Sequence, residues 1–186
     1  MSEDDGGYGE DLLSRALAGE TAAFRELVVR HQRLVYSLAL RMLSDRHQAE
    51  DLSQEVFVQL HRNLASVESL THLTFWLRRV TMNRAIDRLR REPRYATTSI
   101  DEAVTIAAEG QEADPLLQRW LRTLIADLPP PARAVVLLRY QDDLDPVEIG
   151  RTLKMPVNTV KSHLKRSLAV LRERMQETAG AAGAST

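Results

Sequence analysis

The chain has no cysteine, which excludes disulfides, thiolate metal sites and a cysteine nucleophile together. Aromatic residues make up only 5% of its 186 residues, so any core must be built mostly from Leu, Val and Ala. No apolar run approaches the ~20 residues that a membrane span needs. The opening "MSEDDGGYGE" is acidic and Gly-rich where a signal peptide needs a basic start and an apolar stretch, so the cytoplasm is the expected location. There is no Gly-rich phosphate loop and no nucleophile with a paired base, which argues against an enzyme and against a bound cofactor. Nor is there an excess of either charge: 25 Lys and Arg against 26 Asp and Glu leave a net charge of −1.

What is present is an uneven distribution of that charge. Positions 1–20 carry six acids against Arg15, positions 76–94 seven Arg against Asp87 and Glu92, and positions 94–114 five acids against Arg94. Blocks of alternating sign suit a protein whose separate faces meet separate polyelectrolytes. With 44% apolar and 27% charged residues, the length fits two small globular domains.

The pattern is all-α. From Thr21 to Leu43 apolar residues recur at three- and four-residue steps, which predicts one long amphipathic helix. Asp45 with Gln48 resembles a capping box and starts a second helix, with Leu52, Val56, Phe57, Leu60 and Leu64 inward and an acidic outer face. "NLASVESLT" reads as a loop, and a third helix starts near Thr71 and ends at Pro93. Its apolar residues change phase: Leu73, Trp76, Leu77 and Val80 point one way, whereas Met82, Ala85, Ile86 and Leu89 point another. Opposite the second set, Arg84, Asp87, Arg88 and Arg91 share a stripe.

Residues 94–113 have no strong period and read as a flexible acidic linker. Asp114-Pro115 then opens a helix expected to bury Leu117, Trp120, Leu121 and Leu124, "PPPAR" opens another with Val135 and Leu138 inside, and Asp145-Pro146 with Glu148 caps a short one. Asn158 is expected to cap the last helix, which runs through Val160, Leu164, Leu168, Leu171 and Met175. Residues 1–11 and 177–186 are expected to be disordered.

"DPVEIGRTLKMPVNTVKSHLKRSLAVLRER" carries seven Lys or Arg against one acid after Gly150. On its second helix Val160, Leu164, Ser167, Leu168 and Leu171 share one side, leaving Asn158, Thr159, Ser162, Lys165 and Arg166 on the other, flanked by Lys161 and His163. Short hydrogen-bonding side chains at a helix start, with cations around them, suit insertion into a DNA major groove, so the pair is predicted to be a helix-turn-helix. Arg139 and Arg151 would then touch phosphate.

"RLVYSLALRMLSDRHQAEDLSQEVFVQLHRNL", "WLRRVTMNRAIDRLRR" and "LDPVEIGRTLKMPVNTVKSHLKRSLAVLRER" follow one another at these spacings. Together, over about residues 12–176, they resemble the extracytoplasmic-function (ECF, group IV) sigma factors of bacterial RNA polymerase. The resemblance implies the family's domain two at 12–93, its domain four at 114–176, and between them a linker whose Asp101, Glu102, Glu109 and Glu112 mimic nucleic acid in the polymerase cleft. It implies that Glu50, Asp51, Gln54 and Glu55 bind the clamp helices of the largest core RNA polymerase subunit, with a further contact to the beta flap. Asn83, Asp87 and Arg90 match the family's minus-10 positions, and Arg84, Arg88 and Arg91 would hold phosphate there. The loop at 63–71 matches the segment that captures an extruded base; having no aromatic, it leaves Phe75 and Trp76 as stacking candidates, with a core role for Trp76 the competing expectation. Asn158, Thr159, Ser162, Lys165 and Arg166, then Lys161 and His163, match the family's minus-35 reader. Besides promoter DNA and polymerase, a separate anti-sigma factor is the implied partner.

Two residues depart from the family: Lys154 stands where Gly is usual in the turn, and Gly150 where Ala is usual. At positive φ, Lys154 would cost about 1 kcal/mol relative to Gly. Two other functions stay open on the residues alone. One is a helix-turn-helix regulator with an N-terminal sensor or dimerisation domain; the other is a carboxylate metalloenzyme using His47, Glu50, Asp51 and Glu55.

Overall fold

A computed structural model describes the main chain of residues 3–91 and 115–183. The linker acids Asp101, Glu102, Glu109 and Glu112 and the expected cap Asp114 lie outside these residues. Among the described residues every regular element is helical. The chain divides into two compact units, Met1–Asp87 and Arg88–Thr186. That division falls about a turn before Pro93, where the sequence ends the first domain.

The first unit holds α1 (Glu3–Leu17), α2 (Thr21–Leu43), α3 (Arg46–Asn63), a 3-10 turn (Leu64–Ser66) and α4 (Leu70–Arg91) as far as Asp87, the last turn of α4 falling past the division. Helix α2 packs on α1 and α3; of the stripe that its periodicity predicts, Leu27, Val35, Leu38, Ala39 and Met42 are buried and Phe24, Val28 and Leu34 half-buried, with Ala23 buried beside them. It ends at Ser44 in the left-handed region (φ 56°), whose N–H donates to the Leu40 carbonyl. Asp45 then caps α3 by accepting from the Gln48 N–H at 2.9 Å, so the two helices turn back on each other and bury Leu52, Val56 and Leu60. Phe57 is half-buried.

Helix α1 corrects, for residues 3–11, the expectation of a disordered N-terminus. Leu12, Leu13 and Ala16 are buried, and once these residues are anchored on α2 the helix extends backwards without a new nucleus, against the poor helix preference of Gly6, Gly7 and Gly9. A turn through Gly19 (φ 91°) leads into α2, clasped by Arg15, whose Nε donates to Glu20 at 2.8 Å. That hydrogen bond holds the Glu20 carboxyl below its ordinary range. Its small stabilisation is therefore present above that range and lost as the pH falls below it, through the carboxyl's own lowered value. The tail is a second correction: from residue 177 the chain stays helical as far as Gly183, continuing the long α8 without a new nucleus.

The second unit is built around α6 (Pro130–Tyr140), whose residues from Ala132 to Leu138 are all buried. Helices α7 (Pro146–Leu153) and α8 (Val157–Gly183) pack on it and on each other. Helix α5 (Pro115–Ala126) lies against α6 and α8, with Leu124 buried, but Leu117 and Leu121 are exposed and Trp120 is half-buried. Helical periodicity identified the apolar face of α5 without saying how far its neighbours cover it.

The α7–α8 turn follows from its caps. Asp145 accepts from the N–H groups of Val147 (2.7 Å) and Glu148 (2.8 Å), and Glu148 accepts from the Asp145 N–H (2.7 Å), a complete capping box. At the other end Lys154 is left-handed (φ 53°, ψ 46°), and both its N–H and that of Met155 donate to the Gly150 carbonyl. The two departures from the family thus meet in one turn. A Cβ on Gly150 would lie 2.8 Å from the Met155 carbonyl oxygen, a main-chain atom that can yield only if the turn moves.

Lys154→Gly is therefore expected to raise the melting temperature or leave it unchanged, relieving up to about 1 kcal/mol of left-handed strain. Gly150→Ala is expected to lower it, since the clash costs about 1–3 kcal/mol against about 1 kcal/mol of helix preference gained. The Gly150→Ala penalty should shrink in a Lys154→Gly background, where the turn can relax. Thermal melts of both single variants and the double variant check this, and strictly additive shifts would show that the two positions are independent.

Candidate nucleic-acid interface

Burial sets the rotation of α8. Val160 and Ser167 are almost fully buried and Leu171 nearly so, with Leu164 and Leu168 half-buried. Asn158, Thr159, Lys161, Ser162, Lys165 and Arg166 are consequently exposed on the opposite side, with His163 half-buried at the margin. The expectation that Asn158 caps this helix is corrected. Pro156 takes that place, its carbonyl accepting from Thr159 (2.9 Å) and Val160 (3.1 Å), and a proline there sacrifices no hydrogen bond. Asn158 lies instead inside the first turn with its side chain outward. The Ser162 hydroxyl donates to the Asn158 carbonyl at 2.8 Å, a local bond that a hydroxyl can exchange for an outside acceptor. Arg151 is exposed, whereas half-buried Arg139 donates to the Leu144 carbonyl at 3.2 Å and helps fix the approach to α7.

Helix α4 resolves its change of phase by a buried stripe that moves around it: Leu73 and Leu77 first, Thr81 next, then Met82, Ala85 and Ile86. Trp76, which the sequence also allows in the core, is only half-buried, as are Phe75 and Val80. At 100° per residue Trp76, Val80, Asn83, Asp87 and Arg90 form one line, so an indole shares a face with the three minus-10 candidates. Asn83 is half-buried there, and Asp87 and Arg90 are exposed. Arg84, Arg88 and Arg91 continue the line of Leu73 and Leu77 instead. Arg91 is exposed and Arg88 half-buried, while Arg84 turns to α3, donating from Nη1 to Glu55 Oε2 at 2.7 Å and from Nε to Gln59 Oε1 at 2.9 Å.

The loop before α4 is tighter than expected. Its 3-10 turn buries Leu64 and Val67, Ser69 caps α4 through the His72 N–H at 3.1 Å, and the Leu70 N–H donates to Glu10 of α1 at 3.2 Å. Ala65, Ser66, Glu68 and Thr71 remain exposed.

On α3, Glu50, Asp51, Gln54 and Glu55 are all exposed. Asp51, Gln54 and Glu55 line an open groove of about 650 Å³ together with Val58, Gln59, Arg62, Asn63 and, from α4, Arg84. Glu50 pairs with Arg46 at 3.3 Å. Beyond Glu55 the same face continues at three- and four-residue steps through Val58, Gln59 and Arg62. No group of three or more metal-ligating side chains occurs among the described residues; Glu55, one of the carboxylates of the metal alternative, is occupied by Arg84. No helix among the described residues is long and apolar enough to cross a membrane.

An acidic helix face, a cationic helix end and a helix-turn-helix in this order describe a nucleic-acid-binding protein with a separate protein-docking surface. The Sigma-70 region 2 family matches residues 27–95 and the Sigma-70 region 4 family residues 118–171. The chain is 33% identical to the ECF RNA polymerase sigma factor SigW of Bacillus subtilis over 89% of its length and 95% of that protein. It is 35% identical to SigE of Mycolicibacterium smegmatis over 80% of its length and 60% of that protein. In fold it matches CnrH, solved with the cytosolic domain of CnrY, at a TM-score of 0.65 and 21% identity, covering 90% of this chain and 97% of that one. It also matches the sigma factor RpoE of Bartonella quintana, solved with the anti-sigma factor NepR, at a TM-score of 0.63 and 18% identity, covering 82% and 96%. The chain belongs to the ECF RNA polymerase sigma factors, the promoter-recognising subunits of bacterial RNA polymerase.

If Trp76 stacks on a promoter base, Trp76→Leu should keep its half-buried apolar contact and leave assembly with polymerase intact while slowing promoter opening about 10-fold, since one base–aromatic stack is worth about 1–3 kcal/mol. Permanganate reactivity of the opening region reads that rate. An unchanged rate would return Trp76 to packing alone.

Proposed function

We propose that this chain docks on the clamp helices of core RNA polymerase through the exposed Glu50, Asp51, Gln54 and Glu55 of α3, with the second unit placed by the beta flap. The face of α4 carrying Asn83, Asp87 and Arg90, with Arg88 and Arg91 beside it, meets the minus-10 element as its strands part. The outward face of α8 reads the minus-35 duplex: Asn158, Thr159, Ser162 and Arg166 address base edges, and Lys161, His163, Lys165 and Arg151 hold the backbone. Arg139 acts there by fixing the loop before α7. The chain adds specificity and strand separation while the polymerase supplies the catalysis. Its work is cytoplasmic and serves a stress or envelope response, restrained by a separate anti-sigma factor. The observation that carries this division is the rotation of α8, which buries Val160 and Ser167 and leaves the predicted reading side chains together outside.

The test is reconstitution. Core polymerase mixed with this chain should give run-off transcripts from a subset of a randomised promoter library, and core alone should not. Asp51→Arg should abolish initiation without lowering the melting temperature, because it reverses an exposed charge. Lys165→Ala should weaken duplex binding evenly across sequences and lower the salt slope by about 1, whereas Arg166→Ala should relax specificity at one base position. A chain that binds duplex DNA but neither binds core polymerase nor initiates with it would be a regulator instead.

A further inference from the structure

Arg84 belongs by position to a cationic stripe that would hold DNA phosphate, yet its guanidinium is turned away from that task. One fork grips two side chains one turn apart on α3, Glu55 at 2.7 Å and Gln59 at 2.9 Å. The same three residues border the groove that contains Asp51 and Gln54. Stability does not account for the arrangement: Arg84 and Glu55 are 40% and 45% exposed, and exposed ion pairs add little. What a planar, two-point clamp supplies is geometry. It removes rotamer freedom from Glu55 and Gln59 before any partner arrives, and ordering of flexible side chains is otherwise a cost met on association.

We infer that Arg84 is a positioning residue of the polymerase-docking face, acting through Glu55 and Gln59, and not a contact to promoter phosphate. It rests on the docking role proposed for α3. Arg84 also ties that helix to α4, so the docking face and the promoter helix keep a fixed rotation relative to each other within the first unit.

Lysine separates the two roles, since it keeps the charge that a phosphate needs but lacks the fork that spans Glu55 and Gln59. The affinity of labelled full-length chain for core polymerase should fall about fivefold in Arg84→Lys and at least as far in Arg84→Ala, a size typical of coupled neighbours. In a Glu55→Ala, Gln59→Ala background the same substitutions should have almost no further effect. With core saturating, the salt slope of promoter binding should keep its wild-type value. Melting temperatures of all variants guard against unfolding, and Arg84→Lys decides the matter if Arg84→Ala does not fold.

Wild-type core affinity in Arg84→Lys would overturn the inference. So would a salt slope lowered by about 0.9 in Arg84→Ala with core affinity intact, which marks a lost phosphate contact. Failure of the wild-type chain to bind core polymerase would instead sink the docking role itself.

Discussion

Burial of Leu73, Leu77, Met82 and Ala85 fixes the rotation of α4, and what the first unit displays depends on it. A helix has one degree of freedom that sequence leaves soft, its spin about its own axis, and close packing of a core removes that freedom. In α4 the buried stripe migrates, so the two lines beside it have different neighbours at their two ends. The line through Trp76 and Val80 emerges as Asn83, Asp87 and Arg90. The line through Leu73 and Leu77 emerges as Arg84, Arg88 and Arg91, and its first member is still close enough to α3 to be held there. One packing decision thus separates the line of Asn83, Asp87 and Arg90 from a line whose first arginine is clamped to α3.

The second unit uses the same principle with a simpler core. Helix α6 is buried along most of its length and acts as the post on which α7 and α8 are set. With few aromatics to fill space, the unit relies on short branched side chains at close approach. At Gly150 the Met155 carbonyl comes near enough that a Cβ would lie 2.8 Å from its oxygen. Here the glycine stands in the helix before the turn, and a left-handed lysine occupies the turn itself. The turn keeps its path because Gly150 still accepts from the two N–H groups that follow the helix.

Local signals were legible in sequence. Asp45 with Gln48, and Asp145 with Glu148, predict helix starts because a cap needs only residues a few positions away. The outward face of α8 was legible for a similar reason: a single unbroken apolar stripe defines its own opposite side. Features set by distant partners were not. Helix α1 has barely one turn of apolar pattern and is revealed only by what lies against Leu12 and Leu13. The exposure of Leu117 and Leu121 depends on the extent of α6 and α8, and the true cap of α8 is a main-chain carbonyl, which any residue can provide. Arg84 looked like a phosphate ligand because its stripe is cationic; its partners lie 25 and 29 residues earlier.

That long-range pair bears on how a chain of net charge −1 engages DNA at all. In physiological salt, charges act over about 8 Å, so a phosphate responds to the side chains beside it and not to the sum over the protein. What matters is that patches of opposite sign stay segregated, yet α3 carries acids along its face and α4 runs from Arg84, held against that face, towards a cationic C-terminal turn. Where the two faces meet, Arg84 and Glu55 cancel locally at 2.7 Å. On one side of that seam Glu50, Asp51 and Gln54 form an acidic and polar surface. Past it Arg88, Arg90 and Arg91 gather on the last turns of α4. Neutralising the seam keeps the acidic face of α3 and the cationic end of α4 from blurring into one mixed field, which is a use for an exposed ion pair that its small effect on stability would not suggest.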